Sequence, residues 1–524
     1  MEIITLTSQN KEKIKDSGDR KNYIEVSKAS DLKEKKERII YRFFEILPGF
    51  FSWTILISSI VLSYFKPVIV GIFIIAFDFY WFLKVVALSI YQLSAFFKMK
   101  KNLQINWLSL AKENKEFGKI FHLVCLPFYK EEKETIEDSL QAILNSNYPK
   151  EKIIIVLAVE EAGGKKAKKI AREIEKKFKD KFYKFFLFFH PQHLPNEIPG
   201  KGSNVNFAIE NVKEKILKEI PPENIIFSIF DIDTKPYPNY FAILTYQYLK
   251  LKMPQHVCFQ PIPVYHNNIW EVPFFSRIIA TSNTFWQMMQ QERPEQLVSY
   301  SSHSLPFTLV LKLGYPKNVI SDDSRIFWKS YFLYDGNFKT IPLFYPVSMD
   351  AVLGKNLWRT IINQYKQQRR WAFGAENIPY IMFGFLKNKK IPLSQKIFHT
   401  MVMFEGFISW AVASLLIFLL GWLPLVLGGE DFKGTIFGYN LPIITRNLMI
   451  IASVGMVLSA ILSILLLPKS PSKFGALKKL SIFFQWIFLP PLLILFGAFP
   501  ALDAQTRLLF GKYLDFWTTE KFKK

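Results

Sequence analysis

The sequence predicts an α/β domain set between membrane α-helices, and three observations carry the prediction. Strand-like apolar runs alternate with amphipathic helices from residue 118 to about 260. Uncharged apolar runs of bilayer length stand on both sides, and 50% of the 524 residues are hydrophobic despite a net charge of +23. With 16% aromatic residues as well, part of the chain is expected in lipid. Cys125 and Cys258 fall in expected strands; two cysteines build no disulfide framework, and both read as reduced core residues. The basic excess fits nucleic acid, anionic lipid or a phosphorylated substrate, but lysines concentrate between residues 11 and 42, directly before an apolar run. That placement favours the membrane surface and argues against a nucleic-acid partner.

Residues 1–42 form a basic arm, expected to be disordered or frayed over about its first 40 residues and lacking the pattern of a signal peptide. The run 46–65 has no charge and is roughly 20 residues long, enough to cross a bilayer. Lys66 and Pro67 close it, and a second run, 68–90, returns. Residues 43–97 are thus a pair of crossings, and Lys98, Lys100 and Lys101 mark the cytoplasmic side. Asp78 lies inside the second run and is expected to face helices or water, because lipid exposure costs several kcal/mol; Lys84 is expected to snorkel.

Residues 98–375 read as a cytoplasmic domain with interfacial helices. Expected strands cover 122–128, 153–159, 185–189 and 225–231; expected helices cover 135–147, capped by Thr135 with Asp138 three residues on, then 165–178 and 204–220. Such alternation implies a mostly parallel sheet covered on both faces, with ligands at the carboxyl ends of its strands. Past Gln260 the strand pattern is lost.

The polar groups of interest fall at those ends. The run IIFSIFDID stops at Asp231 and Asp233, hard oxygen ligands spaced to reach one Mg²⁺ or Mn²⁺ beside the phosphates of a nucleotide. Pro127, Tyr129 and Glu131 fall at the end of the first strand and just past it, and Glu160 and Glu161 follow the second. The turn GKGSN places Lys201 at a helix amino terminus, an anion site without Walker A spacing. A second acidic pair, Asp322 and Asp323, follows Ser321. In NQYKQQRRW, Gln367, Arg370 and Trp371 share one helix face: an amide for hydroxyls, a guanidinium for phosphate oxygens and an indole for stacking on a sugar ring. Singly, each segment also fits a capped helix, a solvated turn or an interfacial helix; their convergence on one sheet edge points to a site.

After an interfacial segment, 376–400, residues 401–510 hold three or more spans, read at 406–427, 448–467 and 480–502. Pro490 and Pro491 are candidates to break the last into a hairpin. The loop 428–446, with Gly434, is expected outside the cell, whereas Lys165 and the lysine-rich loop around Lys473 are expected inside; a basic tail, 511–524, ends the chain.

The ordered set Asp231-Ile-Asp233, Ser321-Asp-Asp323 and Gln367-x-x-Arg370-Trp371, flanked by membrane runs, resembles the processive family 2 glycosyltransferases of the cellulose synthase and hyaluronan synthase type. The resemblance covers roughly residues 118–371. It implies a GT-A (Rossmann-like) glycosyltransferase domain between transmembrane helices, and an inverting, metal-dependent hexosyltransferase of a multi-pass cell membrane protein with a cytoplasmic catalytic domain. The expected donor is a nucleotide sugar, in the form of a UDP-sugar, and the expected acceptor a polysaccharide or glycan, with transfer coupled to export and membrane lipids as surroundings. By the same resemblance, Asp231 and Asp233 hold the diphosphate and Mg²⁺ or Mn²⁺, and Asp323 is the general base. Pro127, Tyr129, Glu131, Glu160, Glu161, Lys201 and Arg370 border the donor, and Gln367, Trp371 and His303 border the acceptor. Glu160 and Glu161 stand where the family has an aspartate, Ser321-Asp322 replaces its Thr-Glu, and SYSSHS at 299–304 replaces its glycine- and cysteine-containing acceptor loop. His303, as a lone histidine, also fits a structural role. Rival activities are transfer of a single sugar to a polyprenyl-type lipid carrier, a catalytically silent membrane scaffold, and a transporter with a soluble regulatory domain.

Overall fold

The computed structural model describes residues 22–469, 475–515 and 517. The α/β-plus-membrane-helix class expected from the sequence is the one found. Eight strands, β1 (Phe121–Phe128), β2 (Ile153–Glu160), β3 (Lys184–His190), β4 (Ile225–Ile229), β5 (Lys235–Pro236), β6 (Val257–Val264), β7 (His303–Pro306) and β8 (Lys339–Ser348), form one sheet in the order β3-β2-β1-β4-β7-β6-β8-β5. The first four are parallel, with Val124 of β1 opposite Ile155 on one side and Ser228 on the other. β7 runs antiparallel to β4 and β6, and β8 is parallel to β6.

Composition explains the parallel half. Every residue of β2, IIIVLAVE, is buried, as expected of a strand covered on both faces. Helices α1 (Lys35–Phe65) and α2 (Pro67–Gln104) precede the sheet. Helices α3 (Lys133–Leu144) and α4 (Gly164–Phe178) then bury Ile136, Leu140 and Ile143, and Ala167, Ile170 and Ile174, against one face. Helix α5 (Lys201–Ile216) buries Val205, Ile209 and Val212 against the other.

Four expectations are corrected. The sheet does not end at Gln260: β7 is four residues long and β8 carries Pro342 and Pro346, so neither shows the alternation that reveals a strand. Helix α3 starts at Lys133 after Glu132, and Thr135 is a buried residue of its first turn, not a cap. Residues 22–34 are not frayed. Ile24, Val26, Ala29 and Leu32 are buried; Tyr380 Oη donates to Ile24 O at 2.9 Å and Lys329 Nζ lies 2.8 Å from Glu25 Oε2. Spaced apolar residues among lysines suffice to dock this stretch, while residues 1–21 of the expected arm lie outside the described residues. Lys84 does not snorkel but pairs with Glu405, which also accepts from Tyr80 Oη at 2.8 Å. A paired charge inside the bundle avoids the lipid that an unpaired one must escape.

Among the described residues five helices are long and apolar enough to cross a membrane. They are α1, α2, and further along Leu393–Phe418, Ile436–Leu466 and Leu477–Leu509. At 38 residues, α2 outruns a hydrocarbon core of about 30 Å. Its end reaches the sheet, where Phe96 and Met99 join Ile262 and Val264 in one apolar cluster. Pro490 and Pro491 sit at the start of a short helical segment, Leu489–Leu493, followed by a π-helical turn, Ile494–Ala498, within the last 33-residue run. Lys473 and the tail beyond residue 517 lie outside the described residues.

Candidate active site

The site lies where β1, β2 and β4 end. Helix α6 (Tyr240–Leu249) backs β4 on the buried face; helix α7 (Phe274–Gln291) crosses toward the membrane bundle. Helices α8 (Asp322–Leu333) and α9 (Leu357–Ala372) close the opening. A continuous cavity of about 1500 Å³ is lined by Pro127, Tyr129, Glu131, Glu160, Lys201, Asp231, Asp233, Asp322, Asp323, Gln367, Arg370 and Trp371. The cavity continues between the membrane-length helices, past Asp78, Trp81 and Gln92 of α2, Trp410 and Ser459.

Its centre is a lysine between two aspartates. Lys201 Nζ donates to Asp231 Oδ1 at 2.7 Å, Asp323 Oδ1 at 2.8 Å and Ser301 O at 3.0 Å. Burial alone lowers the Lys201 pKa, yet Asp231, Asp323 and Asp322 together hold it above the usual lysine range, so it is cationic. Helix α5 can bring Lys201 this close because of Gly202: a Cβ there would stand 2.2 Å from Pro316 O and 3.1 Å from Asp322 Oδ2.

Asp231 Oδ2 accepts from Ser301 Oγ at 2.6 Å, and Asp233 Oδ2 accepts from Asp350 N at 2.8 Å. Asp323 Oδ1 also accepts from Tyr315 Oη at 3.2 Å. Burial first, then Asp323, raises the Tyr315 phenol well above its usual range and keeps it a donor. Burial, then the adjacent Asp323, pushes the Asp322 carboxyl well above the carboxylate range, with Lys201 and Arg370 opposing; Asp322 Oδ2 has no hydrogen-bond partner among the described residues.

Two expected site residues stand off the cavity wall, and a third lines it while closing its own turn. His303 is wholly buried in β7, with Nδ1 3.1 Å from Ser301 O and 3.9 Å from Asp323 Oδ1; burial lowers its pKa to about 4, and it does not line the cavity. A neutral histidine behind the carboxylate is out of an acceptor's reach. Glu161 turns to α4 and pairs with Lys168 at 2.6 Å, away from the cavity wall. Glu131 closes its own turn, accepting from Tyr129 N at 2.9 Å and Lys130 N at 3.1 Å; burial raises its pKa against those amides.

Glu160 is part of a buried triad. His190 Nδ1 is 2.7 Å from Glu160 Oε1, and Nε2 is 2.9 Å from Glu197 Oε1. Burial alone would lower the His190 pKa, but the two glutamates raise it above the ordinary value. With the folded pKa raised, the triad's contribution to stability is full below about pH 6.5, the unfolded range, and is lost as pH rises through the folded value. Thermal unfolding of the protein and of His190→Gln across that range should show the gap between them narrowing toward alkaline pH.

Sequence reasoning missed Asp350, Ser301, Tyr315 and Glu376. Asp350 follows β8 as Asp231 follows β4, a strand-end signal hidden because β8 was not recognised.

No known family profile matches the sequence, and no curated protein matches it. Among solved structures, the chain is similar to the mannosyltransferase PcManGT from Pyrobaculum calidifontis in complex with GDP-Man and Mn²⁺. There the identity is 15% and the TM-score 0.40, over 84% of this chain and 100% of that one. It is also similar to residues 1–349 of S. aureus TarS in complex with UDP-GlcNAc, at 11% identity and TM-score 0.31, over 64% of this chain and 91% of that one.

Proposed function

We propose that the chain is a membrane-embedded glycosyltransferase of GT-A type that moves a sugar from a nucleotide sugar, expected to be a UDP-sugar, onto a growing polysaccharide or glycan. The observation that carries this reading is Lys201 held between Asp231 and Asp323 on one wall of a cavity whose other wall is the Gln367, Arg370 and Trp371 face of α9. A cation, one carboxylate at a strand end and one at a helix start, a guanidinium and an indole around one space are what a diphosphate beside a sugar ring requires. On this reading the catalytic domain faces the cytoplasm of a multi-pass cell membrane protein, the side that the lysines flanking the first two membrane runs favour.

The residues fit a divalent cation. Asp231 and Asp233 offer hard carboxylate oxygens at one strand exit. Among the described residues no group of three His, Cys, Asp or Glu side chains is arranged to hold a metal, and Asp231 and Asp233 are the residues that would hold one. When bound, Mg²⁺ or Mn²⁺ would neutralise charge on the departing diphosphate. Lys201 and Arg370 add positive charge from the two facing walls of the cavity. Asp323 takes the proton of the acceptor hydroxyl as its oxygen bonds to the anomeric carbon and the bond to the diphosphate breaks, with inversion.

Incubating the purified protein with Mn²⁺ and a panel of nucleotide sugars tests this. Nucleoside diphosphate release with a ladder of product lengths is expected. The cavity's extension between membrane helices also suits a lipid-borne acceptor, for which a single lipid-linked product is the signature. Absence of release from every donor would refute the transferase reading.

A further inference from the structure

Glu376 ends the turn Phe373–Glu376 that follows α9, and is 6% exposed. Its Oε1 accepts from Ile320 N at 3.1 Å, Ser321 N at 2.8 Å and Ser321 Oγ at 2.7 Å. Ile320 and Ser321 directly precede Asp322 and Asp323, and Ser321 is the residue from which α8 starts. Fixing two amides at a helix start fixes the direction of its first turn. The next residue reinforces the hold. Asn377 Nδ2 donates to Ser321 Oγ at 3.1 Å and Ser324 Oγ at 2.9 Å, and its Oδ1 accepts from Arg325 Nε at 2.7 Å. Arg325 Nη2 donates back to Glu376 O at 3.3 Å.

This junction joins two walls of the cavity. On one side of the turn are Gln367, Arg370 and Trp371; on the other is Asp323. A buried carboxylate with three donors on one oxygen makes stiff, charge-assisted bonds, stronger than the same contacts in water. Neither Glu376 nor Asn377 touches the space a substrate would fill, since neither lines the cavity.

We propose that Glu376 is a positioning residue that seats the base Asp323 relative to the acceptor-facing helix α9, so that the acceptor and the base are registered by one turn of chain. The proposal rests on the transferase reading. Its consequence is selective. With Glu376 gone, the donor still binds, but the base is misplaced against the acceptor hydroxyl, and water takes a larger share of the sugar.

The test is steady-state transfer and hydrolysis, measured together with donor affinity, on the full chain. Glu376→Ala should lower kcat for transfer by about 10- to 100-fold, the range a shift of about 1 Å in a reacting group costs, without weakening donor binding. The ratio of free sugar to transferred sugar should rise. Glu376→Gln keeps an accepting oxygen and should recover part of the rate. Ser321→Ala removes the hydroxyl bonds, leaves the backbone amides on Glu376, and should shift the same ratio by less, so it serves where Glu376→Ala fails to fold. Unchanged partition in both, loss explained by donor affinity, or full activity per folded molecule would each overturn the proposal. The unaltered protein run alongside separates the two failures: if it turns over no donor, the transferase reading falls, whereas an active parent with indifferent variants removes only the role of Glu376.

Discussion

Asp323→Asn is expected to lower sugar transfer by about 10² to 10⁴ while leaving donor affinity largely intact, as for loss of a general base. The amide is nearly isosteric and still accepts from Lys201 Nζ and Tyr315 Oη, which reach Asp323 Oδ1 at 2.8 and 3.2 Å. What it cannot do is take the acceptor's proton. Asp322 is a poor substitute, because its carboxyl is 4% exposed and burial holds it toward the protonated form. Isothermal binding of the donor and single-turnover transfer, measured on the same preparation, separate the roles. A parallel fall in affinity with an unchanged rate at saturation would make Asp323 a binding residue.

Much of this arrangement was legible because the residues involved lie at transitions between patterns. The strand reading at 225–231 ended on Asp231, and the structure ends β4 at Ile229 with Asp231 at the cavity wall. The i, i+3, i+4 spacing of Gln367, Arg370 and Trp371 put them on one face of what is α9, and all three line the cavity. The membrane runs were equally plain, since length and lack of charge suffice to mark them. What stayed hidden depends on strands without alternation and on partners far apart in the chain. β8 is interrupted by prolines, so Asp350 had no strand end to belong to. His303 looked available in a polar stretch, yet it is the first residue of β7, a strand enclosed between β4 and β6, and sequence gives no sign that so short a run is buried. Lys84 could be matched with Glu405 only after the helices were assembled, because 321 residues separate them. Glu376 was silent for the same reason: its function is written in the amides of Ile320 and Ser321, and backbone groups leave no trace in a sequence.

Asp231→Asn and Asp233→Asn are each expected to remove metal-dependent turnover, by at least about 10²-fold, since under the proposed function each would take one anionic ligand from the cation and leave a weaker amide oxygen. Asp231 needs a more careful test than Asp233, because it also holds Lys201 Nζ at 2.7 Å and Ser301 Oγ at 2.6 Å. If Asp231 served only to hold the lysine, Lys201→Met would lose as much as Asp231→Asn, and the double variant would be no worse than either. If Asp231 binds the cation, the losses are separable. Lys201→Met should keep its response to Mn²⁺ and show weakened diphosphate binding, whereas Asp231→Asn should need far more Mn²⁺ or show no response at any concentration. Asp233 provides the control, as its Oδ2 is held by the backbone N–H of Asp350 at 2.8 Å. Turnover by Asp233→Asn with an unaltered Mn²⁺ dependence would remove this strand end from the metal site and leave Lys201 and Arg370 as the donor's electrostatic partners.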